Sequence, residues 1–396
     1  MSTLGSTWRS IWRFHRLLAG ILVLEYALAF AIVLTALGVL ISRAEAISVT
    51  SGVNEQGLYV LQGEGVNRPV HRSEVFEAQA RFEALTGEGQ VAVGSSVPFL
   101  GTGSLSMPIS VPNDPMHAAP LQVNAYEGGV RFASVLGLRL LHGRWFQLDE
   151  VVLRYGDNSH LAILSESLAR RLFHGEIAVG KQVDITGQMH TVVGVVNPLA
   201  APQYLGSQRT TYTLLLPKVP SGLNLLLIRY KGSVSDLETG LAGLRKHDAG
   251  KVNWSLVPYS AVRSRYFRSD RLTVAALAGV VLAVLVTALC GILGLTNYWV
   301  AKRRPQIAIR RALGATNHDI VVHFLVESGL LVAAGLVLGV LLKLSFGVYF
   351  GNLLMPGGAG TWLLSVALVL ILALVVVYIS LRRWLRMNPA ALMRST

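Results

Sequence analysis

Four stretches of this chain stay apolar long enough to cross a bilayer, and one long stretch between the first two does not. Leu17–Ile41, Leu272–Leu295, Phe324–Leu342 and Thr361–Leu381 each come close to or exceed the roughly 20 residues a helix needs to span the hydrocarbon layer. The second and fourth contain no charged residue; the first holds only Glu25 and the third only Glu327. The pattern predicts a membrane α-helical fold of four transmembrane helices. A large folded domain, residues 42–271, is inserted between helices 1 and 2.

Within that insertion the pattern alternates between strand and helix periods. Ser73 before EVFEAQARFEAL predicts a capped helix, with Glu74 and Glu77 near its first turn. VAVGSSVPF reads as a strand, and the Gly- and Pro-rich residues 101–120 as a loop or a pair of short edge strands. Gln122–Phe146 predicts a strand, a short helix and a turn; LAILSESLARRLF predicts a strand and then a helix. QVDITGQMHTVVGVV predicts a hairpin turning at Gly187, and residues 211–258 add strands around a helix at 234–246. Mixed strands and helices with glycine turns argue an α+β domain. The Pro- and Gly-rich stretch Asn197–Ser207 marks the expected return of the chain into a first of two subdomains.

Charge sets the orientation. The chain carries a formal net charge of +13, yet only 14% of its 396 residues are charged and 52% are hydrophobic. A soluble chain has about 25% charged residues, so the membrane class stands and disorder, collagen and disulfide scaffolds fall away, with Cys290 the single cysteine. Residues 1–16, 296–323 and 382–396 hold twelve Lys/Arg and one acid, Asp319, whereas 42–271 is nearly balanced with 22 basic and 19 acidic residues. Basic residues concentrated in short segments mark the cytoplasmic side. The basicity is therefore a topology signal and not the footprint of nucleic acid. The expected order is a cytoplasmic interfacial helix (1–16), helix 1 (17–41), a periplasmic domain (42–271), helix 2 (272–295) and a cytoplasmic loop (296–323). Helix 3 (324–342), a short periplasmic loop (343–360), helix 4 (361–381) and a cytoplasmic tail (382–396) follow, in the inner membrane of a bacterium. The first run, about 25 residues, exceeds a signal-peptide core and reads as an uncleaved anchor. Trp8, Ile11, Trp12 and Phe14, interleaved with Arg9 and Arg13, read as an interfacial helix leading into it.

Candidate chemistry is sparse. Residues 175–181, GEIAVGK, copy the glycine and lysine spacing of a phosphate-binding loop. That loop needs a strand before it and a helix after it; here the predicted order is reversed, and Gln182 replaces the Mg2+-holding hydroxyl. The ten histidines show no HExxH and no metal spacing with the cysteine, and His318 and His323 fall on different helix faces. No Gly-x-Ser-x-Gly elbow occurs, so the chain is not expected to be an enzyme. Intramembrane charges are functional candidates by default: Glu25 and Glu327 read first as structurally paired, second as proton or ion groups. Lys343 is expected to snorkel outward, and Gly335 with Gly339 forms a small-xxx-small pair for close helix approach.

The loop AKRRPQIAIRRALGATNHDIVVHFLVES is the most informative stretch. Pro305 can open a helix; Ile307, Ala308 and Ala312 line one face, Arg310 and Arg311 another, and Gly314 sits as a C-cap. Such a helix would press either on a soluble partner or on anionic lipid, and the residues alone leave both open.

These residues resemble the coupling-helix signature of MacB/FtsX-type permeases of ATP-binding-cassette (type VII) systems. The similarity runs through Arg303 or Arg304, Ile307, Ile309, Arg310, Arg311, Ala312, Leu313, Gly314 and Ala315; Gln306 stands where the family usually has Glu, and Pro305 beside it belongs to the same coupling segment. LGLRLLHGRWF, LAILSESLARRLF, AVGKQVDI and HTVVGVV resemble the family's MacB-like periplasmic core in order, and RRWLRMNPAALMR resembles its terminal motif. The resemblance covers nearly the whole chain. It implies a permease subunit that transmits ATP-driven motion from a separate cytoplasmic ATPase to its periplasmic domain, with ATP and Mg on that partner and no cofactor in this chain. It also implies a second permease chain, identical or related, and admits a periplasmic adaptor and an outer-membrane channel. Export of antibiotics, peptides or similar compounds is the expected task. Lipoprotein extraction, regulation of a cell-wall hydrolase, or a membrane-anchored sensor or binding protein with no ATPase partner are the alternatives. A secondary transporter would need more spans and repeated halves.

Overall fold

The computed structural model describes residues 16–66, 70–103, 105–112, 119–152, 159–206, 209–220, 225–248, 251–302, 316–350 and 358–385. They divide into two units, a helical one up to Glu45 and from Asp270 on, and an inserted one, Ala46–Ser269. The expected interfacial helix with Trp8, Ile11, Trp12 and Phe14 lies outside the described residues.

Helix α1 spans Arg16–Ser48, α7 Arg268–Lys302, α8 Asn317–Phe350 and α9 Ala359–Leu385. Each contains a segment long and apolar enough to cross a membrane: Ala19–Ser48, Arg268–Gly294, Leu325–Ser345 and Ala359–Ile379. The helices outrun the apolar stretches, α1 passing Ile41 to reach Ser48 and α8 passing Leu342 to reach Phe350. Apolarity marks where the chain meets hydrocarbon, while a helix supplies its own backbone hydrogen bonds and need not stop at that boundary. Leu22, Tyr26, Ala29, Phe30 and Leu34 of α1 recur every three or four residues and pack with Ile292, Leu331, Val332, Ala373 and Val377 into one core. Leu17, Ile21, Leu24, Leu28 and Ile32 form the exposed stripe of the same helix. It is apolar on that face too, as a lipid-bathed helix must be.

The inserted unit is α+β, with two sheets. Strands β1 (Leu58–Gly65), β2 (Val91–Val93), β10 (Leu225–Arg229) and β11 (Val252–Pro258) form an antiparallel sheet in the order β11-β1-β10-β2. Helices α2 (Arg72–Thr86) and α5 (Val234–His247) cover one face. The period of two assigns each side chain to a face. Leu226 and Ile228 join Phe82, Leu237 and Trp254 on the helix side, while Leu225 and Leu227 face a second core with Tyr126 and Phe132.

The larger sheet runs β5 (Leu140–Gly143), β8 (Gln188–Val196), β6 (Leu161–Ser165), β9 (Thr213–Pro217), β4 (Leu121–Gly128), β3 (Leu105–Ser110), β7 (Gln182–Ile185), and β7 pairs again with β8. The sheet thus closes on itself. Ala162, Leu164, Val192, Val195, Leu214 and Leu216 point into its interior with Leu168 and Phe173 of α4 (Glu166–Phe173), while Ile163, Val193, Val196 and Leu215 point out to the core shared with α3 (Phe132–Leu136). A bulge in β8 shifts its register so that Ala162 faces Val192 but Ile163 faces Gly194. A side chain at Gly194 would meet the Arg144 carbonyl at 2.7 Å.

Three expectations need correction. Helix α2 begins at Arg72 with His71 as N-cap; the Glu74 carboxylate accepts the His71 amide at 2.8 Å, so the cap is made by the third helical residue and Ser73 lies inside. Of VAVGSSVPF, Val91–Val93 alone is a strand; beyond it Gly94 packs against the Phe132 ring, where no Cβ fits. The return to the first sheet falls after Pro217 and not at Asn197–Ser207, because β9 still belongs to the closed sheet. Proline and glycine there serve a loop that pins the chain instead: Asn197 Nδ2 donates to the Gly52 carbonyl at 2.7 Å.

Candidate functional site

The coupling residues Arg303, Arg304, Pro305, Gln306, Ile307, Ile309, Arg310, Arg311, Ala312, Leu313 and Gly314 lie outside the described residues. What is described are the helices they join, α7 to Lys302 and α8 from Asn317.

In the helical unit, Gly335 and Gly339 bring α8 onto α1. A Cβ at Gly335 would stand 2.5 Å from Tyr26 Cβ and 3.0 Å from the Val23 carbonyl; at Gly339 it would stand 2.8 Å from the Ala27 carbonyl. Helices approach this closely only where side chains are missing. Glu25, half-buried on α1, lies against Gly291 of α7 in space that a Cβ would occupy. Glu327 is buried on α8 at 2% exposure, beside buried Ser328. Lys343 is buried, with its ammonium 5.3 Å from the Trp362 ring centroid of α9. The ring face attracts the cation.

In the inserted unit, GEIAVGK follows helix α4 and precedes strand β7. Lys181 pairs with Glu176 at 2.5 Å and lies 5.0 Å from the Phe173 ring; it is a turn residue, not a phosphate ligand. Among the described residues no group of His, Cys, Asp and Glu is placed to hold a metal ion. At one mouth of the closed sheet Met107, Glu127, His190, Leu216 and Lys218 line a cavity of about 230 Å³. Glu127 and Lys218 pair there at 3.5 Å. Burial holds His190 below the usual histidine range, with His160 acting in the same sense.

One well-connected polar group among the described residues is one that the sequence did not single out. Arg263, on α6 (Tyr259–Tyr266), donates to Glu55 Oε1 at 2.6 Å, to the Val49 carbonyl at 2.8 Å and to the Ile47 carbonyl at 3.3 Å. Ser51 Oγ donates to the same Glu55 oxygen at 2.7 Å. The guanidinium lies 5.6 Å from the Phe99 ring, which packs on Phe267 at 4.9 Å and Tyr266 at 5.7 Å. Tyr259, whose hydroxyl donates to the Pro98 carbonyl at 3.0 Å, anchors α6. Burial, then the Glu55 charge, push that phenol above its ordinary range, so it stays a neutral donor. The signal available in sequence was YSAVRSRYFRSDR, a cationic run just before a span on the side where basic residues are not needed for orientation.

Comparison with known proteins agrees with this architecture. The MacB-like periplasmic core domain family matches residues 26–239 and the FtsX-like permease C-terminal family matches residues 278–389. The macrolide export ATP-binding/permease protein MacB of Aggregatibacter actinomycetemcomitans is 25% identical over 229 residues, 56% of this chain and 35% of that protein. Its namesake in Pasteurella multocida (strain Pm70) is 28% identical over 238 residues, 58% of this chain and 36% of that one. This chain therefore spans little more than a third of the length of these curated relatives. The crystal structure of the periplasmic region of MacB from Actinobacillus actinomycetemcomitans superposes with a TM-score of 0.37 at 14% identity, covering 54% of this chain and 94% of that one. With residues 26–239 matched by one family and 278–389 by the other, the chain belongs to the MacB/FtsX-type permeases and is a multi-pass inner-membrane protein with a large periplasmic domain.

Proposed function

We propose that this chain is the permease subunit of an ATP-binding-cassette exporter, carrying motion from a separate cytoplasmic ATPase through its membrane helices to the periplasmic unit. The observation that supports it most directly is the order along the chain: one span, one large folded insertion and three more spans, with one family matching residues 26–239 and the other residues 278–389, from within the second span onward. Hydrolysis, with its ATP and Mg, belongs to the partner. The coupling contact is the loop from Arg303 to Gly314, whose Arg310 and Arg311 meet acidic groups of the ATPase. A second permease chain, identical or related, completes the membrane part. Two curated relatives carry macrolide export in their names, and export of antibiotics, peptides or similar compounds is the task assigned to this chain, with an adaptor and an outer-membrane channel as further partners.

The test is recovery of the ATPase on the full-length permease in detergent, where anionic bilayer lipid is absent. Arg310→Glu with Arg311→Glu should abolish most of the recovery, because each charge-assisted hydrogen bond lost costs about 1.5–3 kcal/mol and like charges then face each other. Equal recovery from wild type and double variant would instead make the loop a lipid-surface helix. Orientation is checked separately by labelling cysteines at Ser233 and Asn317 from outside intact cells, with Cys290 replaced first; Ser233 should label and Asn317 should not.

A further inference from the structure

The chain passes between its two units at Glu45–Ala46 and at Ser269–Asp270. In the inserted unit both passages are held by one small constellation. The last residues of α1 leave carbonyls without intrahelical partners, carrying the partial negative charge of a helix C-terminus. Arg263 supplies donors to the carbonyls of Ile47 and Val49. Its own helix, α6, leads through Phe267 straight into α7, and Ala46, Phe99, Ala200 and Phe267 share one buried cluster. Beyond Ser48 the chain has no regular structure until β1, so Val49–Gly57 would be a loose joint if nothing tied it. It is tied: Ala200 N donates to the Ser51 carbonyl at 3.0 Å, Asn197 holds Gly52, and Glu55 closes the ring back to Arg263. In the helical unit, Arg43 of α1 separately pairs with Asp270 of α7 at 2.8 Å.

We infer that Arg263 is a positioning residue that clamps the end of α1 to the start of α7, so that the two passages move as one body. Displacement of either helix then reaches the periplasmic unit as a shared movement and is not lost in the Val49–Gly57 link. A planar guanidinium suits this role because it addresses a carboxylate and two carbonyls at once, which a lysine ammonium on a flexible stem does less rigidly. The consequence for transport rests on the permease reading proposed above; the clamp itself does not.

The experiment uses the full chain in lipid nanodiscs and two readouts. Hydrogen exchange comes first. Arg263→Gln should raise exchange of the amides at Ala46–Val49 and at Phe267–Ser269 together, by about tenfold, while Val192–Val196 of β8 stays as in wild type. Arg263→Lys should fall between the two. Unchanged exchange at these amides, loosening of one passage without the other, or faster exchange throughout the inserted unit would each overturn the clamp. The second readout adds the ATPase recovered with the wild-type permease and a fluorophore on Ile177→Cys, with Cys290 replaced; Ile177 is 78% exposed. Arg263→Gln should recover as much ATPase as wild type and lose most of the ATP-driven fluorescence change. Retention of that change alongside loosened amides would overturn the role in transmission. If wild type recovers no ATPase, the permease reading fails, and the exchange result alone decides the clamp.

Discussion

The helical unit and the inserted unit are held together by opposite means. In the inserted unit, strands such as β6 and β9 send alternate side chains into two different cores: Ala162 and Leu164 to one, Ile163 to the other. Cohesion there comes from removing apolar surface from water, so what matters is the side chain that is present. In the helical unit lipid is as apolar as leucine, and burying one apolar face against another gains little over leaving it in the bilayer. What matters there is the side chain that is absent, as at Gly335, Gly339 and Gly291. The same chain therefore fails by deletion in one region and by addition in the other.

The largest effect is expected from deletion in the inserted unit. Trp254 is fully buried among Phe82, Leu237 and Leu244, and its indole N–H donates to the Asp248 carboxylate. Trp254→Ala should cost about 3–5 kcal/mol and leave buried Asp248 without that donor. Thermal unfolding of the full chain in detergent measures it; a midpoint within a degree of wild type would break the comparison from this side. Addition in the helical unit comes next. Gly335→Val should cost about 1–3 kcal/mol by overpacking, seen as earlier loss of the folded species on heating and gel filtration. Gly329→Val, on the same helix but with nothing within 4 Å of its added Cβ, should do far less. Equal effects at the two glycines would mean that helix propensity, and not close approach, sets the cost.

The smallest effect sharpens the comparison through pH. His190 is buried in the closed sheet, its Nδ1 2.9 Å from the Gln188 carbonyl and its ring 6.1 Å from His160, with Asp184 also nearby. Burial lowers its pKa below the usual value. The unfolded chain therefore takes up a proton first as pH falls below about 6.5, and the folded state loses stability from there down to the folded pKa. Wild type should show an acid-induced fall in thermal midpoint that exceeds that of His190→Gln by at most a few degrees. Identical slopes in the two proteins would remove His190 from the account.

Parts of this were legible in the residues themselves. The four runs from Leu17, Leu272, Phe324 and Thr361 lie within the four long helices, because lipid leaves the backbone no partner but itself and so turns apolar length into helix. The strand–helix order of LAILSESLARRLF and the hairpin at Gly187 were legible for a similar reason: local turn chemistry and a period of two or 3.6 act over a few residues. Membership in the permease family was legible from short stretches in order. What only the tertiary structure decided involves groups far apart in sequence. The closing of the larger sheet depends on β7 meeting both β3 and β8; the hairpin supplies β8, and no local pattern encodes the pairing with β3. The late return at Pro217 depends on β9 finding β4 and β6. That Lys343 meets Trp362 of another helix, 5.3 Å from its ring, depends on how α8 and α9 pack. Arg263 and Glu55 stand 208 positions apart, and in sequence each is one more charge in a nearly balanced segment. Hydropathy and periodicity are sums over neighbours in the chain, whereas a guanidinium among three acceptors is a fact about neighbours in space.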